Sequence, residues 1–338
     1  MDAIILVGGQ GTRLRPLTLT RHKSLVPLCN RPAIEHLFDW VRTAGFDRAI
    51  LALGQHNEDL AAAYPAGVYE GLRLVHVLET ERLESGGAIR HAVAQAGVEG
   101  RFVVLNGDVF VEFDFARALT MHIDQRAELT LALYPAPDAS QFGVAVVDES
   151  SMVTRFVEKP APGSAPSNLV NAGVWIFEPG LVAEIPPGAV RVEETLFPAL
   201  VNSGRPVLGY EFEGLWADIG TSERYLAANT ALLASGRKAV DASASIAGSA
   251  TVTLTSVGKD SRVGAGARLT NSLLWEHVEV GEDASIRESI VADRTVIGRG
   301  AELSGAVVGS GCTIAPGAKL PPGTALQPGT RYDEANER

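Results

Sequence analysis

Residues 8–18 form the first segment whose residue types could do chemistry, and they read GGQGTRLRPLT directly after an apolar run at residues 3–7. Glycines allow positive φ and let backbone N–H groups approach phosphate oxygens, while arginines donate in pairs to phosphate. The groups concerned are Gly8, Gly9, Gly11, Thr12, Arg13 and Arg15. The segment lacks the glycine spacing of dinucleotide-binding folds and the Gly-Lys-Ser/Thr of a P-loop. It therefore predicts either a plain turn or a phosphate-binding loop of another kind.

Four further charged residues, Lys23, Asp108, Lys159 and Asp218, could act on a phosphate, but each also has a simpler explanation. An aspartate at the end of a strand more often caps a turn or a helix than binds a metal. Lys159 could form a solvated pair with Glu158 worth under ~1 kcal/mol. The motifs contain no Ser–His or His–Asp constellation, so these residues are suited to stabilising phosphate charge rather than to proton transfer.

The composition narrows the classes of partner. The chain of 338 residues has a formal net charge of −11, which argues against a nucleic-acid or anionic-membrane surface, because both need a basic face. The two distant cysteines, Cys29 and Cys312, are typical of a reducing compartment. The N-terminal apolar run is too short for a signal peptide, and no run reaches the ~18 residues of a membrane helix. We therefore expect a cytoplasmic protein that binds phosphate through a local group of basic residues.

Residues up to about 236 alternate short β-branched runs with amphipathic segments, which predicts βαβ units. We expect strands at residues 3–7, 48–53, 73–77, 101–105, 129–134, 144–147 and 173–177. We expect helices at residues 34–44, 88–96 and 222–234. The fold class is therefore α/β, with a Rossmann-like, mostly parallel sheet whose carboxyl edge would hold the glycine-rich segment and Asp108.

A period of 17 residues begins after Gly236. Three columns of the repeat are apolar or small: Ile246, Val263, Val280, Ile297 and Ile314; Ala250, Ala267, Ala284, Ala301 and Ala318; Val252, Leu269, Ile286, Leu303 and Leu320. A fourth column, Leu273, Ile290 and Val307, departs in its first row with Ser256. A short fixed period with glycines in each row indicates stacked triangular β-coils rather than helical repeats. The sequence thus predicts a catalytic domain at residues 1–236, a β-helix at 237–328 and a frayed polar tail at 329–338.

The glycine-rich segment, with KSLVP at residues 23–27 and NRP at residues 30–32, resembles the sugar-1-phosphate nucleotidyltransferases, or sugar-nucleotide pyrophosphorylases. The resemblance continues through ESGGA (84–88), NGD (106–108), FVEKP (156–160), NAG (171–173) and WADIGT (216–221). Members of the mannose-1-phosphate guanylyltransferase type also carry a left-handed β-helix after the catalytic domain. The resemblance implies transfer of a nucleotidyl group from a nucleoside triphosphate to a sugar-1-phosphate, with release of pyrophosphate.

The roles of the family's residues transfer to matching positions of this chain. Arg13 would hold the departing pyrophosphate and Lys23 the α-phosphate, while Asp108 and Asp218 would bind Mg²⁺. The nucleotide contacts implied are Gly8, Gly9, Gly11, Thr12, Arg13, Lys23, Gly86, Gly87 and Asp108, with Gly86 and Gly87 in a loop beside the base. The sugar-phosphate contacts implied are Gly143, Glu158, Lys159, Asn171 and Glu193, with Lys159 on the phosphate.

Three departures from the family pattern bear on the substrate and on the Lys23 loop. Relatives commonly have Pro-Lys-Pro where residues 22–24 read HKS. Glu194 stands where the guanylyltransferase pattern often has a lysine, and residues 82–87 resemble bacterial uridylyltransferases. We expect GTP and mannose-1-phosphate, because the two-domain arrangement and residues 216–220 resemble that subgroup. Glucose-1-phosphate thymidylyl- or uridylyltransferase activity is the alternative.

Two other functions stay open on the sequence. β-Helices of this kind also occur in acyltransferases that use a histidine base, and His277 lies among the repeats. Some relatives are regulatory or nucleotide-exchange subunits with decayed motifs, although the charged motif residues are all present here. Because a β-helix offers flat faces for packing, we expect a homo-oligomer, a dimer or larger.

The first prediction concerns Lys23 and Asp108. Replacing either residue by alanine should lower the turnover number for pyrophosphate release by more than about tenfold. Lys23→Ala removes a positive charge from the α-phosphate, and Asp108→Ala removes a ligand of the Mg²⁺ ion. Steady-state kinetics on the purified variants measure this, and turnover near that of the wild type in either variant would contradict its assigned role.

Overall fold

The computed structural model describes residues 1–55 and 57–333. The chain forms two compact units that do not follow chain order. The first unit contains Met1–Gly9 and Ile34–Trp216, and the second contains Gln10–Ala33 and Ala217–Arg338. Most of the glycine-rich segment and the helix expected at residues 222–234 therefore group with the β-helix.

The elements up to Trp216 build the first unit, apart from the hairpin and the three 3-10 turns within residues 10–33, which belong to the second. The strands are β1 (Asp2–Leu6), β2 (Pro27–Leu28), β3 (Arg31–Pro32), β4 (Arg48–Leu53), β5 (Gly67–Tyr69), β6 (Leu72–Leu78), β7 (Phe102–Asn106), β8 (Val109–Val111), β9 (Leu129–Pro135), β10 (Gly143–Val147), β11 (Val153–Glu158), β12 (Leu169–Phe177), β13 (Val207–Glu211) and β14 (Trp216–Asp218). The helices are α1 (Ala33–Thr43), α2 (Glu58–Ala63), α3 (Glu84–Ala96), α4 (Phe115–Asp124) and α5 (Leu196–Asn202). Short 3-10 helices occupy Thr12–Leu14, Leu17–Leu19, Lys23–Leu25 and Pro179–Glu184.

The first unit is built on a mixed sheet in the order β11-β10-β12-β7-β1-β4-β6-β5, with β9 joined to β12 and β13 joined to β9. Its centre, β7-β1-β4-β6, is parallel, whereas β12 pairs with its neighbours in the antiparallel sense. Helix α3 packs on β1, β4 and β6, and α5 packs on β11. The core between these layers includes Ile4, Ile89, Phe102, Trp175 and Phe197, all fully buried. The α/β fold class expected from the sequence is confirmed.

The second unit is a parallel β-helix in the regular pattern of the left-handed kind. Its strands form three ladders: β15 (Ser245–Ile246), β18 (Arg262–Val263), β21 (Glu279–Val280), β24 (Val296–Ile297), β27 (Thr313–Ile314) and β30 (Arg331–Tyr332); β16 (Thr251–Thr253), β19 (Arg268–Thr270), β22 (Ser285–Arg287), β25 (Glu302–Ser304) and β28 (Lys319–Leu320); β17 (Ser256–Val257), β20 (Leu273–Leu274), β23 (Ile290–Val291), β26 (Val307–Val308) and β29 (Ala325–Leu326). Helix α6 (Ser222–Ala234) precedes them, with the bounds that the sequence predicts.

The 17-residue register governs the pairing. Residue i pairs with residue i + 17 from Ser245↔Arg262 onward, until one extra residue in the last coil shifts Val307 to Ala325. From the second coil on, the first three predicted columns are buried, and their members in the first coil are partly exposed because no complete coil precedes it. In the fourth column, Leu273 and Ile290 are buried and Val307 is partly buried. The departing residue Ser256 pairs with Leu273 and is 1% exposed, and its hydroxyl donates to Asn229 Oδ1 at 2.9 Å. A polar side chain is tolerated there because helix α6 supplies its acceptor.

The chain end departs from the expected tail. Strand β30 pairs with Thr313–Ile314, and Tyr332 is 8% exposed, so the coil continues past residue 329. Residues 334–338 of the expected tail lie outside the described residues. Among the described residues, no helix has both the length and the apolar character needed to cross a bilayer.

The second prediction concerns the contact between successive coils at Gly281. A Cβ at this position would lie 2.6 Å from the backbone nitrogen of Arg299 and 2.8 Å from the carbonyl carbon of Gly298. Both atoms belong to the next coil, so Gly281→Ala should lower the free energy of unfolding by about 1–3 kcal/mol. The matched control is Gly248→Ala, at a turn with no heavy atom within 4 Å. Equal denaturation midpoints for the two variants would contradict the close approach.

Candidate active site

The carboxyl ends of four parallel strands meet at one edge of the first unit. In-register pairing aligns Leu6 of β1 with Asn106 of β7 and Ala52 of β4, and β4 in turn with β6. The residues that leave this edge are Gly8 and Gly9 after β1, Gly54 after β4, Glu79 after β6 and Asp108 after β7. The sequence prediction that the glycine-rich segment and Asp108 lie at the carboxyl edge of the sheet is confirmed for Gly8, Gly9 and Asp108.

Glycines allow the chains at this edge to touch. A Cβ on Gly54 would lie 2.7 Å from the carbonyl oxygen of Gly8, and one on Gly107 would lie 2.8 Å from that of Leu6. The Gly107 N–H donates to the same Leu6 oxygen at 2.9 Å. Gly9 is exposed and Asp108 is partly exposed, so this edge presents backbone amides and a carboxylate to solvent.

Glu79 is a charged residue of this edge that the sequence reading missed. It is 9% exposed, and a Cβ on Gly8 would lie 3.4 Å from its Oε1. Burial raises the pKa of its carboxyl, and the charge of Glu84 adds to the increase. The available signal was its position directly after the buried run of β6, where a ligand-binding acid is expected in an α/β sheet.

A second group in the first unit contains the residues expected to bind the sugar phosphate. Gly143 pairs with Glu158 across β10 and β11, and a Cβ on Gly143 would lie 2.7 Å from Glu158 Oε2. Lys159 Nζ lies 3.2 Å from Glu158 Oε1, and its side chain is 54% exposed. The Lys159 backbone has a φ of 43°, and its N–H donates to Phe142 O at 3.0 Å. The strained turn thus leaves the Lys159 cation exposed to solvent beside the carboxylate of Glu158.

Glu193 joins this group through electrostatics. Ser85 donates its hydroxyl hydrogen to Glu193 Oε2 at 2.5 Å and accepts from Val192 N at 3.1 Å. Burial raises the pKa of the Glu193 carboxyl, and the nearby charge of Glu158 raises it further, against the hydrogen bond from Ser85. Two carboxyl groups and one lysine therefore lie together, an arrangement that suits polyhydroxylated phosphates.

Asn171 is held at an irregularity in β12. The pairing of β12 with β9 shifts between Asn171 and Trp175, where Gly173 has a φ of 75°. Asn171 Oδ1 accepts from Trp175 Nε1 at 2.7 Å and from Gly173 N at 3.1 Å. The fold uses this oxygen, so a contact with a sugar hydroxyl would come from the Nδ2 group.

Gly86 and Gly87 lie in the first turn of α3, not in the loop that the resemblance implies. A Cβ on Gly87 would lie 2.5 Å from Gly188 O, and one on Gly86 would lie 3.0 Å from Val190 O. The Gly86 N–H donates to that Val190 oxygen at 2.8 Å. Close packing against residues 188–190 accounts for both glycines, and their contact with a base stays a prediction.

The second unit gathers another set of predicted residues around the glycine-rich segment. Gly11 has a φ of 60°, and its carbonyl accepts from Thr18 Oγ1 at 2.7 Å. A Cβ on Gly11 would lie 3.0 Å from the Cβ of Lys23, so residues 11–23 form a closed loop. Arg13 lies in the first 3-10 turn of that loop, and Thr12 and Arg13 are exposed.

Arg13 and Asp218 meet at Gly220. A Cβ on Gly220 would lie 3.0 Å from Arg13 Nη2 and 2.9 Å from Asp218 Oδ1. Asp218 Oδ1 also accepts from Gly220 N at 3.0 Å and from Arg224 Nη1 at 2.5 Å. The structure thus brings two of the predicted catalytic residues together and adds Arg224. The sequence prediction did not include Arg224, whose one signal was that it follows Asp218 by six residues.

The Lys23 turn lacks the flanking prolines of relatives and is held by another device. His22 is 8% exposed, and its Nδ1 accepts from Ser24 N at 3.2 Å. Leu25 N donates to His22 O at 2.8 Å. A side-chain cap and a 3-10 turn therefore restrict the backbone of Lys23 where proline rings would otherwise do so.

The binding of a divalent ion by Asp108 and Asp218 stays a prediction. Within residues 1–55 and 57–333, no group of three or more His, Cys, Asp or Glu side chains could hold a metal ion. Mg²⁺ in nucleotide-binding enzymes takes one or two carboxylates and completes its shell with phosphate and water. Asp108 and Asp218 each offer one carboxylate of this kind.

His277, the histidine that an acyltransferase would need as its base, is half-exposed at a corner of the β-helix and lies 3.8 Å from Asp260.

Comparison with known proteins gives a consistent result. Residues 2–235 match the nucleotidyl transferase family, and residues 234–327 match the GMPPB C-terminal domain. The mannose-1-phosphate guanylyltransferase of Mycobacterium tuberculosis is 32% identical over 83% of this chain and 81% of its own length. The mannose-1-phosphate guanyltransferase of Schizosaccharomyces pombe is 36% identical over 70% of this chain and 66% of its own length. The UTP--glucose-1-phosphate uridylyltransferase of Synechocystis sp. is 31% identical over 67% of this chain, which spans 61% of that relative's length.

The third prediction follows from the raised pKa of Glu193. A carboxyl whose pKa is higher in the folded state than in the unfolded chain stabilises the fold below its unfolded value of about 4.3 and loses that contribution as the pH rises through the folded value. Glu193→Gln cannot ionise and can still accept from Ser85. The stability of the wild type should therefore fall relative to this variant as the pH rises from about 4 toward neutrality.

Urea denaturation midpoints of the two proteins at several pH values measure this difference. The matched control is Glu194→Gln, which changes the neighbouring carboxyl with a side chain 52% exposed. A difference between wild type and Glu193→Gln that stays constant or reverses its sign with pH would contradict the assignment.

Proposed function

The chain belongs to the nucleotidyl transferase family, and on that premise we propose that it couples a nucleoside triphosphate to a sugar-1-phosphate with release of pyrophosphate. The observation that carries the proposal is the convergence of Gly8, Gly9 and Asp108 at the carboxyl edge of β1 and β7. Such an edge is where α/β sheets bind nucleotides. The basic groups Arg13, Lys23 and Lys159 supply the charge that an acidic protein needs to bind two polyanions.

The proposed reaction needs no general base. An oxygen of the sugar phosphate is already anionic near neutral pH, since the second phosphate pKa is about 6. This oxygen attacks the α-phosphorus, the new P–O bond forms, and the bond from the α-phosphorus to the β-phosphate breaks, so that pyrophosphate leaves. Lys23 stabilises the α-phosphate, Arg13 holds the leaving group, and Lys159 holds the incoming phosphate, so catalysis consists of positioning and charge stabilisation.

We propose Asp108 and Asp218 as ligands of Mg²⁺. The ion would supply positive charge at the phosphates when bound. The Asp218 carboxylate would then lie between the ion and the guanidinium of Arg224, which already contacts it. We propose that Gly143, Glu158, Asn171 and Glu193 contact the sugar, and that Gly8, Gly9, Gly11, Thr12, Gly86 and Gly87 border the nucleotide.

GTP and mannose-1-phosphate are the proposed substrates. Relatives that bear the corresponding names include those of Mycobacterium tuberculosis and Schizosaccharomyces pombe. UTP with glucose-1-phosphate is the second candidate, because the Synechocystis relative bears that name. The proposed setting is the cytoplasm.

The fourth prediction tests the substrate pair. The four nucleoside triphosphates are each combined with mannose-, glucose- and N-acetylglucosamine-1-phosphate, and pyrophosphate release is measured in the presence of Mg²⁺. We expect GTP with mannose-1-phosphate to give the highest kcat/KM. A maximum with UTP and glucose-1-phosphate would select the second candidate, and release with no pair would refute the enzymatic proposal.

The fifth prediction concerns assembly. We propose that the flat faces of the β-helix pack against other copies of the chain, giving a dimer or larger. Multi-angle light scattering at micromolar concentration should return at least twice the chain mass of 35.7 kDa. The mass of one chain at micromolar concentration would contradict the proposal.

A further inference from the structure

The β-helix carries a polar column that contacts the segment preceding Lys23. Glu276, Asp293 and Ser310 are spaced by 17 residues and therefore stack at one corner of successive coils. Asp293 is 3% exposed, and Ser310 donates its hydroxyl hydrogen to Asp293 Oδ1 at 2.7 Å. The Ser310 hydroxyl also lies 2.9 Å from Thr20 Oγ1, so the column reaches residues 20 and 21 of the same unit.

Arg21 contacts three side chains at this corner, two of which belong to the column. Its Nη1 and Nη2 donate to the two carboxylate oxygens of Glu276, each at 3.0 Å, and Nη2 lies 3.7 Å from Asp293 Oδ1. The guanidinium lies 4.6 Å from the centre of the Trp275 ring. Burial alone would lower the pKa of the Arg21 guanidinium, but the hydrogen bonds and charge of Glu276 outweigh it and raise that pKa. A bidentate pair with a stacked ring is stronger and more directional than an exposed ion pair.

The same corner holds the rest of the segment through α6. Trp275 Nε1 donates to the hydroxyl oxygen of Tyr225 at 3.1 Å, and Tyr225 donates in turn to Pro27 O. Cys29 N donates to Asn229 Oδ1 at 3.0 Å, and Asn229 belongs to the same helix. The segment is therefore anchored at Arg21, at Pro27 and at Cys29, with Lys23 between the first two anchors.

We propose that Arg21 is a positioning residue, through which the β-helix holds Lys23 in place for contact with the α-phosphate. The inference rests on the proposed function for the role of Lys23. The chain between Arg21 and Lys23 has little freedom, because the His22 side chain caps Ser24 and the His22 carbonyl accepts from Leu25. A displacement at Arg21 therefore moves Lys23, and a misplacement of about 1 Å can cost on the order of 100-fold in rate.

The experiment compares Arg21→Gln, Glu276→Gln and the double variant in the full-length protein. Each single change should lower kcat by about tenfold or more with the KM for the sugar phosphate little changed, because binding of that substrate does not depend on Lys23. The double variant should be no slower than Arg21→Gln, since removal of the guanidinium already breaks its pair with Glu276. The matched controls are Lys319→Gln and Glu302→Gln. Their ion pair has the same 3.0 Å length and joins strands β25 and β28 of the β-helix.

Hydrogen exchange gives a readout that does not depend on activity. In Arg21→Gln and Glu276→Gln, peptides covering residues 20–29 should exchange faster than in the wild type, while peptides from the buried coils keep their rates. Unchanged exchange in residues 20–29, acceleration across the whole chain, or faster exchange with unchanged kcat would each overturn the inference. If Arg21→Gln does not fold, Glu276→Gln carries the test.

The two proposals fail in distinguishable ways. A wild type that releases no pyrophosphate refutes the proposed function, and the exchange rates then decide by themselves whether the column holds the segment. An active wild type with additive losses in the double variant supports the proposed function and overturns the positioning role.

Discussion

In-register parallel pairing of strands is the constraint on which both units depend. In the first unit it aligns β7, β1, β4 and β6, so that the residues following each strand leave at one edge. In the second unit the same pairing repeats every 17 residues and stacks residues of equal phase into columns. The first case brings together Gly8, Glu79 and Asp108, and the second brings together Glu276, Asp293 and Ser310. The candidate site at the edge of the sheet and the anchoring corner of the β-helix thus both follow from in-register parallel pairing.

The electrostatics of the candidate site are local. The chain has a net charge of −11, yet each group of site residues pairs cations with carboxylates at short range. Lys159 lies beside Glu158, and Arg224 lies on Asp218. Under the proposed function, these contacts would place the basic side chains near the negative charge of the transition state. Burial raises the pKa of the Glu193 and Glu79 carboxyl groups.

The β-helix has a role in the fold beyond its own stability. The segment Gln10–Ala33 precedes most of the first unit in the chain but packs with α6 and the coils. Arg21 and Glu276 are 255 positions apart, and their bidentate pair fixes the segment that contains Lys23. The guanidinium, the Trp275 ring and the Tyr225 hydroxyl form a continuous set of contacts that ends on the backbone of Pro27. Under the proposed role of Lys23, a change in this corner of the β-helix would be transmitted to the loop proposed to bind phosphate.

The sequence by itself determined the features that depend on short-range patterns. The apolar runs predicted β4 and the amphipathic spacing predicted α6 with the observed bounds, and the 17-residue register predicted the buried columns. Helix α3 begins four residues earlier than predicted, because Gly86 and Gly87 are accommodated by packing against residues 188–190, which propensity does not register. The glycine-rich segment and Asp108 were predictable because they follow buried strands.

Tertiary structure alone decided which distant residues share a site. No local pattern joins Arg21 to Glu276, Arg13 to Gly220 or Glu193 to Ser85, because each contact depends on how separate segments pack. The repeat pattern also did not predict the extra residue in the last coil or the continuation of that coil to Tyr332. A repeat period is visible in the spacing of residues along the chain. Contacts between residues hundreds of positions apart form only when the chain packs.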